Sequence, residues 1–276
     1  QPGSWPATGK PACSTPAPDR NESMPGYVLR LSEANGYLTP WHLLNLAGIS
    51  PYELKWASFP AEGLATLGLP REALNRIAYH REAEGKRQYA IRGHELGEGL
   101  SYQPLRTAAP AICPDCVADR GFVEAFFDLN IATACPTHRR AVVTHCPSCA
   151  EPLSHFRPEL LTCGCGASLA DASAVEVSDE VVSLMSILKS VLTGEEYRNL
   201  SGFPAEQLAG TSLRMLLSHL PSLAVLNRPE AGEDMQLVVE GVDLVLVQPH
   251  LHRLLHQAHG GHAGHPVLAL EVGGQG

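Results

Sequence analysis

Apolar residues first fall into a helical rhythm after residue 20. Tyr27, Val28, Leu31 and Ala34 share one face and Asn35-Gly36 forms a stop, which predicts a helix from Glu22 to Asn35 with Arg30 on the surface between Glu22 and Glu33. Thr39 followed by Pro40 is an N-cap with proline in the first turn, opening a helix through Trp41, Leu43, Leu44 and Leu46 that stops at Gly48. Short helices are expected at 51–57 and 60–67, then a turn at Gly68-Leu69-Pro70 and a helix over 71–81 with Leu74, Ile77 and Arg81 one turn apart. Residues 84–110 are polar and rich in glycine and read as a hairpin or loop. Beyond residue 170 the rhythm returns. A helix is expected over 175–192, ended by Gly194, with helical continuations at 195–200 and 204–226 carrying Leu213, Met215, Leu216, Leu217, Leu220, Leu223 and Leu226. Residues 235–247 alternate Leu237, Val239, Val242, Leu244 and Leu246, a pattern that fits a strand or a buried helix.

Between these two helical stretches the pattern gives way to cysteines. Seven of the eight cysteines lie within residues 113–165, as Cys113-Pro-Asp-Cys116, Cys135-Pro-Thr-His138, Cys146-Pro-Ser-Cys149 and Cys163-Gly-Cys165. Two thiolates on a tight C-x2-C knuckle face one point, and a second pair arriving from a distant turn completes a tetrahedron for zinc. The gaps suit that geometry, with 18 residues between Cys116 and Cys135 and 13 between Cys149 and Cys163. The spacing assigns two structural zinc ions, one to Cys113, Cys116, Cys135 and His138 and one to Cys146, Cys149, Cys163 and Cys165. Interleaved pairing is the rival arrangement, and His145 or His155 offers an alternative ligand. A disulfide framework is the competing chemistry. It is disfavoured because residues 1–20 lack the apolar core of a signal peptide, so an intracellular, cytoplasmic location is expected. A single C-x-x-C would also suit redox work, but four pairs in series do not. With all eight ligands supplied by protein, no position is left for the water that a catalytic zinc needs.

These motifs resemble the TniQ family of bacterial transposon target-selection proteins. Cys-Pro-x-Cys, an aromatic stretch, Cys-Pro-x-His, Cys-Pro-x-Cys and a closing Cys-x-Cys-Gly match in order, and Asn21-Glu22-Ser23-Met24-Pro25-Gly26-Tyr27 through Arg30-Leu31 and Asn35-Gly36 is similar to the family's opening motif. The chain departs from the family in offering Phe126 and Phe127 where a tryptophan is common between the first zinc pairs, and in its length of 276 residues. The resemblance covers about residues 20–170. It implies a non-catalytic adaptor that links target-site recognition, by a CRISPR effector with guide RNA among the options, to the AAA+ ATPase and transposase. It also implies a homodimer, for which the apolar faces around Trp41, Leu43 and Leu44, or Leu213, Leu216 and Leu220, would serve as easily as they would a monomer core.

The expected architecture is mainly α with small zinc-ribbon β elements. It comprises a flexible leader at 1–20, a helix-turn-helix-like module at 21–110, tandem zinc ribbons at 111–170, a helical module at 171–248 and a His/Gly-rich tail at 249–276. Cys13, in the leader, is expected to be a free thiol, and Phe126 and Phe127 to be core residues rather than a base-stacking surface. No apolar run approaches the ~20 residues of a membrane span. Six of the thirteen histidines lie between His250 and His265 among glycines, which predicts a disordered or adventitious metal-binding tail.

The net charge of −9 argues against wholesale nucleic-acid binding. It is unevenly spread: residues 71–110 hold seven Lys/Arg against five Asp/Glu, and 171–276 hold five against thirteen. DNA contact is therefore expected in the first half, through Arg71, Arg76, Arg81, Lys86, Arg87 and Arg92, with Arg106 also available to phosphates. Phosphate loops, nucleophile elbows, H-E-x-x-H and an acid triad for two metals are all lacking from the sequence. A transposition adaptor is thus the leading reading, a zinc-containing sequence-specific DNA-binding regulator is the alternative, and an enzyme using zinc only as a staple is the third.

Overall fold

The computed structural model describes residues 14–50, 61–83, 86–98, 104–106, 109–201 and 205–218. Helix α1 (Met24–Ala34) begins where Ser23 Oγ accepts the Gly26 N–H at 3.0 Å and ends at Asn35, followed by Gly36 in the left-handed region. Tyr27, Val28 and Leu31 are buried as the periodicity requires. Arg30 is not simply a surface residue. Its Nε and Nη2 each donate to the buried Glu22 carboxylate at 2.7 Å, a bidentate pair that compensates an acid whose burial raises its pKa. The stretch read as a leader is tied to α1 from Ser14 onward. Ser14 and Asn35 exchange hydrogen bonds, the Tyr27 hydroxyl donates to Pro16 O, and Arg30 donates to Ala17 O.

Helix α2 (Pro40–Leu46) is capped by Thr39, whose Oγ1 accepts the Trp41 N–H. Leu43 and Leu44 are fully buried, so they belong to the core rather than to a free dimer face. The helix expected at 51–57 lies outside the described residues. Helices α3 (Ala61–Ala65) and α4 (Arg71–Ile77) follow. Here the structure corrects the sequence reading, because the chain turns extended at Ala78 (ψ 140°) and Arg81 stands on a strand. Strands β1 (His80–Ala83), β2 (Lys86–Ile91) and β3 (His94–Glu98) form an antiparallel sheet in that order, with Arg81 opposite Gln88. The β2–β3 turn is Arg92-Gly93, both at positive φ (49° and 85°), the backbone that a two-residue hairpin turn demands.

The cysteine-bearing stretch contains helix α5 (Pro114–Arg120), a 3-10 turn (Ala125–Asp128) and the two-residue strands β4 (Ala134–Cys135) and β5 (Arg140–Ala141). Phe126 and Phe127 are buried edge to face at 5.5 Å, as core residues. Helix α6 (Asp179–Thr193) starts at its Ser178 cap, four residues later than expected, and stops at left-handed Gly194. Residues 195–200 are not helical. They run back along α6, where Ser186 Oγ accepts the Arg198 N–H at 2.7 Å and Ser183 Oγ accepts the Leu200 N–H at 2.8 Å. These helix hydroxyls satisfy backbone donors that a continued helix would have satisfied internally. Helix α7 (Ala205–Ala209) and helical residues 213–218 close the described chain, with Leu213, Leu216 and Leu217 buried rather than offered to a partner. Leu220, Leu223, Leu226, the 235–247 segment and the histidine tract lie outside the described residues, as does Cys13.

One hydrophobic core joins α1, α2, α4, the sheet, the first cysteine cluster, α6 and α7. A smaller cluster gathers Leu29, Ile112, Val117, Val123, Leu153, Leu160 and Leu169 around Cys146 and Cys163. The joint between the amino-terminal and cysteine stretches is a short backbone pairing. Ser23 N donates to Val123 O at 2.8 Å and Ala125 N to Asn21 O at 2.7 Å, bringing Glu22 opposite Glu124. Gly26 permits this approach, since a Cβ there would lie 2.9 Å from Val123 Cβ. No described helix is long and apolar enough to cross a membrane.

Candidate metal centres

The first centre is built by α5 and the β4–β5 turn. Cys113 is the N-cap residue of α5 and Cys116 lies one turn in; Cys135 ends β4, and His138 stands on the turn that follows. His138 Nδ1 lies 3.5, 3.3 and 3.5 Å from the sulfurs of Cys113, Cys116 and Cys135, and the Cys116 and Cys135 sulfurs are 3.4 Å apart. Ligands at ~2.0–2.3 Å in a tetrahedron stand about 3.4–3.8 Å from one another, so these atoms already surround a zinc-sized point. The four ligand atoms all fall within 4.8 Å of one another. The His138 N–H also points at Cys135 Sγ at 3.4 Å, which holds the knuckle closed.

Asp119, one turn beyond Cys116 on α5, was not singled out from sequence. Its carboxylate lies 3.1 Å from His138 Nε2. A proton held on Nε2 and donated to Asp119 leaves the Nδ1 lone pair facing the three thiols, the tautomer that a metal requires. Arg140 Nη1 donates to Asp115 at 2.8 Å and its Nη2 to Ala172 O at 2.9 Å, fixing the start of α5 against the chain leading to α6. An acid three residues after a C-x-x-C cysteine is the only sequence cue that would have found Asp119.

The second centre is a pair of knuckles with little secondary structure. Cys146 and Cys165 sulfurs lie 3.7 Å apart and Cys149 and Cys163 sulfurs 3.9 Å apart, and all four fall within 4.8 Å of one another. The Ser148 N–H points at Cys146 Sγ at 3.4 Å, and Ala150 at φ 59° and Gly166 at φ 87° turn the chain back after each pair. Each cluster gathers the four residues that the spacing grouped, without interleaving. His145 faces the Thr144 hydroxyl at 3.0 Å, and neither it nor the buried His155 enters a cluster. Within each cluster the thiols compete for protons. Hydrogen bonds from Cys113 and Cys116 push Cys135 down, while hydrogen bonds with Cys113 and Cys135, and then burial, push Cys116 up. Clustered thiols that cannot all hold or all release protons are the electrostatic setting in which a cation replaces protons.

The two centres differ in their surroundings. Cys113, Cys116 and Cys135 are buried in the main core, whereas Cys149 and Cys165 are exposed.

The residues expected to contact nucleic acid are carried by α4, β1, β2 and the β2–β3 turn. Arg71 and Arg76 are exposed on α4, Arg81 is on β1, and Lys86 and Arg87 are on β2, with Lys86 paired to Glu98 at 3.2 Å. Arg92 is engaged within the fold. Its Nη1 donates to Leu192 O at 2.7 Å and its Nε to Arg20 O at 3.1 Å, and burial lowers its pKa. His94 Nε2 lies 3.1 Å from the same Leu192 carbonyl. These two side chains cap the last turn of α6, where carbonyls lack helical partners. Arg106 likewise donates to Asn130 O and Ala132 O.

Residues 13–142 of the chain match the TniQ family model, so this stretch is assigned to that family. The match takes in the opening motif, helices α1 to α5, the three-stranded sheet and the whole first cysteine cluster, and it ends before Cys146. Among curated proteins, none matches the chain.

Proposed function

We propose that this TniQ-family chain is a non-catalytic adaptor of bacterial DNA transposition, linking target-site recognition to the AAA+ ATPase that carries the transposase, and that its two clusters hold structural zinc. The family match over residues 13–142 carries the reading, because the residues that bear it act together. The opening motif pairs with Val123–Ala125 directly after α5, so the signature describes one folded joint rather than two separate coincidences. Zinc suits the donors, three thiols with one imidazole and four thiols, each set lying within 4.8 Å of one another. Both sets are complete without water, which supports a role in holding the fold over one in chemistry.

The α3–turn–α4 unit followed by an antiparallel sheet has the outline of a helix-turn-helix with a wing, and Arg71 and Arg76 on α4 supply its exposed charge. DNA contact in this reading is auxiliary. The adaptor's principal partners are the ATPase and a target-recognition complex, either a guide-RNA effector or a fixed-site DNA complex. Because α6 shares the main core with α1 and the first centre, the partners must be tested on the intact chain.

The test is co-purification of the intact chain with the AAA+ ATPase of its own element, together with insertion in cells carrying or lacking the chain. Capture of the ATPase and loss of targeted insertion on deletion are expected. Normal targeted insertion without the chain, or no ATPase capture under conditions where insertion proceeds, would overturn the proposal.

A further inference from the structure

The second cluster differs from the first in access. Cys113 and Cys135 are 0% exposed and Cys116 2%, whereas Cys149 and Cys165 are exposed. Cys165 lies between Gly164 and Gly166, and a Cβ built on either glycine would meet nothing among the described residues within 4 Å, so the chain on both sides of this exposed cysteine is open. The first centre adds a carboxylate against its histidine and is embedded in the core that holds α6. The second rests on two loop knuckles and on Leu153, Leu160 and Leu169.

We propose that Cys149 and Cys165 form an oxidation-sensitive pair, and that hydroperoxides discharge the second metal while the first is retained. The inference rests on the reading of both clusters as zinc centres. An exposed zinc thiolate keeps nucleophilic character and is attacked in proportion to access. In the first step the Cys165 sulfur takes one oxygen of hydrogen peroxide to become a sulfenic acid, the O–O bond breaks, and the other oxygen leaves as hydroxide. In the second step the Cys149 thiolate attacks the Cys165 sulfur, forming the S–S bond and expelling the sulfenic oxygen as hydroxide. Two protons from solvent convert the two hydroxides to water. Two thiolates have then lost two electrons and one peroxide has gained them. The cluster's four sulfurs lie within 4.8 Å of one another, so disulfide formation needs only a small movement of these loops. Zinc is left with Cys146 and Cys163 alone and departs, and a dithiol reductant with added zinc restores the site.

What responds is the turn carrying Leu160, whose N–H donates to Glu33 of α1 at 3.1 Å and whose carbonyl accepts from the buried Arg157. Loss of the second metal therefore loosens a contact on α1 while leaving the main core in place.

The experiment uses the full chain with Cys13→Ser, purified anaerobically, with zinc counted before and after hydrogen peroxide using a chromogenic chelator and disulfides mapped by peptide mass spectrometry. Two zinc equivalents are expected at the start. One should leave at least about tenfold faster than the other, with a Cys149–Cys165 disulfide that dithiothreitol and zinc reverse. Cys165→His, which keeps a ligand and removes the oxidisable sulfur, should hold two equivalents and slow the fast release to the rate of the other. Two equivalents leaving together, or disulfides among Cys113, Cys116 and Cys135 forming first, would overturn this inference and leave the zinc reading intact. Fewer than two equivalents at the start would overturn both.

Discussion

Lys189 on α6 places its ammonium 3.0 and 2.9 Å from the two carboxylate oxygens of Glu124, and both side chains are buried. Arg120, at the end of α5, completes the site at 2.9 Å from the same carboxylate. Glu124 also pairs through its backbone with Glu22, so one residue joins the amino-terminal motif, the first metal centre and α6. Lys189→Ala leaves the buried carboxylate with Arg120 alone and should cost about 3 kcal/mol, the scale for breaking a buried pair. Lys189→Met with Glu124→Leu replaces both charges by apolar groups and should recover most of that loss. Urea unfolding of the three proteins measures it, and a single variant as stable as the parent would refute the assignment.

Metal removal should act unequally on the two clusters. Cys135→Ser takes a ligand from the main core and should abolish folding, since a structural zinc contributes on the order of 10 kcal/mol. Cys163→Ser should leave one zinc equivalent and the native α6 packing. Metal analysis and circular dichroism decide, and Cys163→Ser retaining two equivalents would contradict the second ligand set.

Gly26 sets the approach of α1 to the cysteine stretch. Gly26→Ala places a methyl 2.9 Å from Val123 Cβ and 3.1 Å from Ser23 Cβ, an overpacking that should cost about 1–3 kcal/mol. An unchanged thermal midpoint would show that the joint is not tight.

The Tyr79 hydroxyl donates to Asp128, which burial raises to about 6 from an unperturbed 3.8. The native state therefore holds this proton more tightly than the unfolded chain. Its stabilising contribution is complete below pH 3.8, falls between there and about 6, and is gone above, so ionisation weakens the fold as pH rises. Asp128→Asn should flatten the stability profile across that window and raise stability at pH 7. A profile with the same slope in both proteins would assign the pH dependence elsewhere.

The two Cys/His clusters were legible in the sequence because the chemistry of a metal site constrains residue type and spacing together. The start of α2 was legible because Thr39 caps it just ahead of Pro40, whereas the Ser23 and Ser178 caps were not read and their helices begin two and four residues later than the apolar spacing suggested. The end of α4 was not. Arg81 continues the helical spacing of Leu74 and Ile77, and only the demand of buried Tyr79, Tyr89 and Ile91 for a sheet turns the chain extended at Ala78. The Arg92-Gly93 turn was equally hidden, because arginine at positive φ lacks the asparagine signal of such hairpins. Contacts such as Lys189 with Glu124, 65 residues apart, leave no local trace.

The last prediction separates DNA contact from structure among the basic residues. Arg71 and Arg76 are exposed on α4, and Lys86 pairs with the exposed Glu98, a contact of little energetic consequence. Arg92 instead caps α6 through Leu192 O. Replacing Arg71, Arg76 and Lys86 by Ala should leave stability unchanged, weaken binding to all duplex sequences alike and make the salt dependence shallower by about one unit of slope per lost phosphate contact. Arg92→Ala should do the reverse, lowering the unfolding midpoint with little effect on the salt slope. Fluorescence anisotropy across a salt series and thermal unfolding supply the two readouts. Sequence-selective loss in the triple variant would favour a DNA-binding regulator over an adaptor. A steep salt effect from Arg92→Ala with no loss of stability would place that guanidinium on the nucleic acid and not on the helix end.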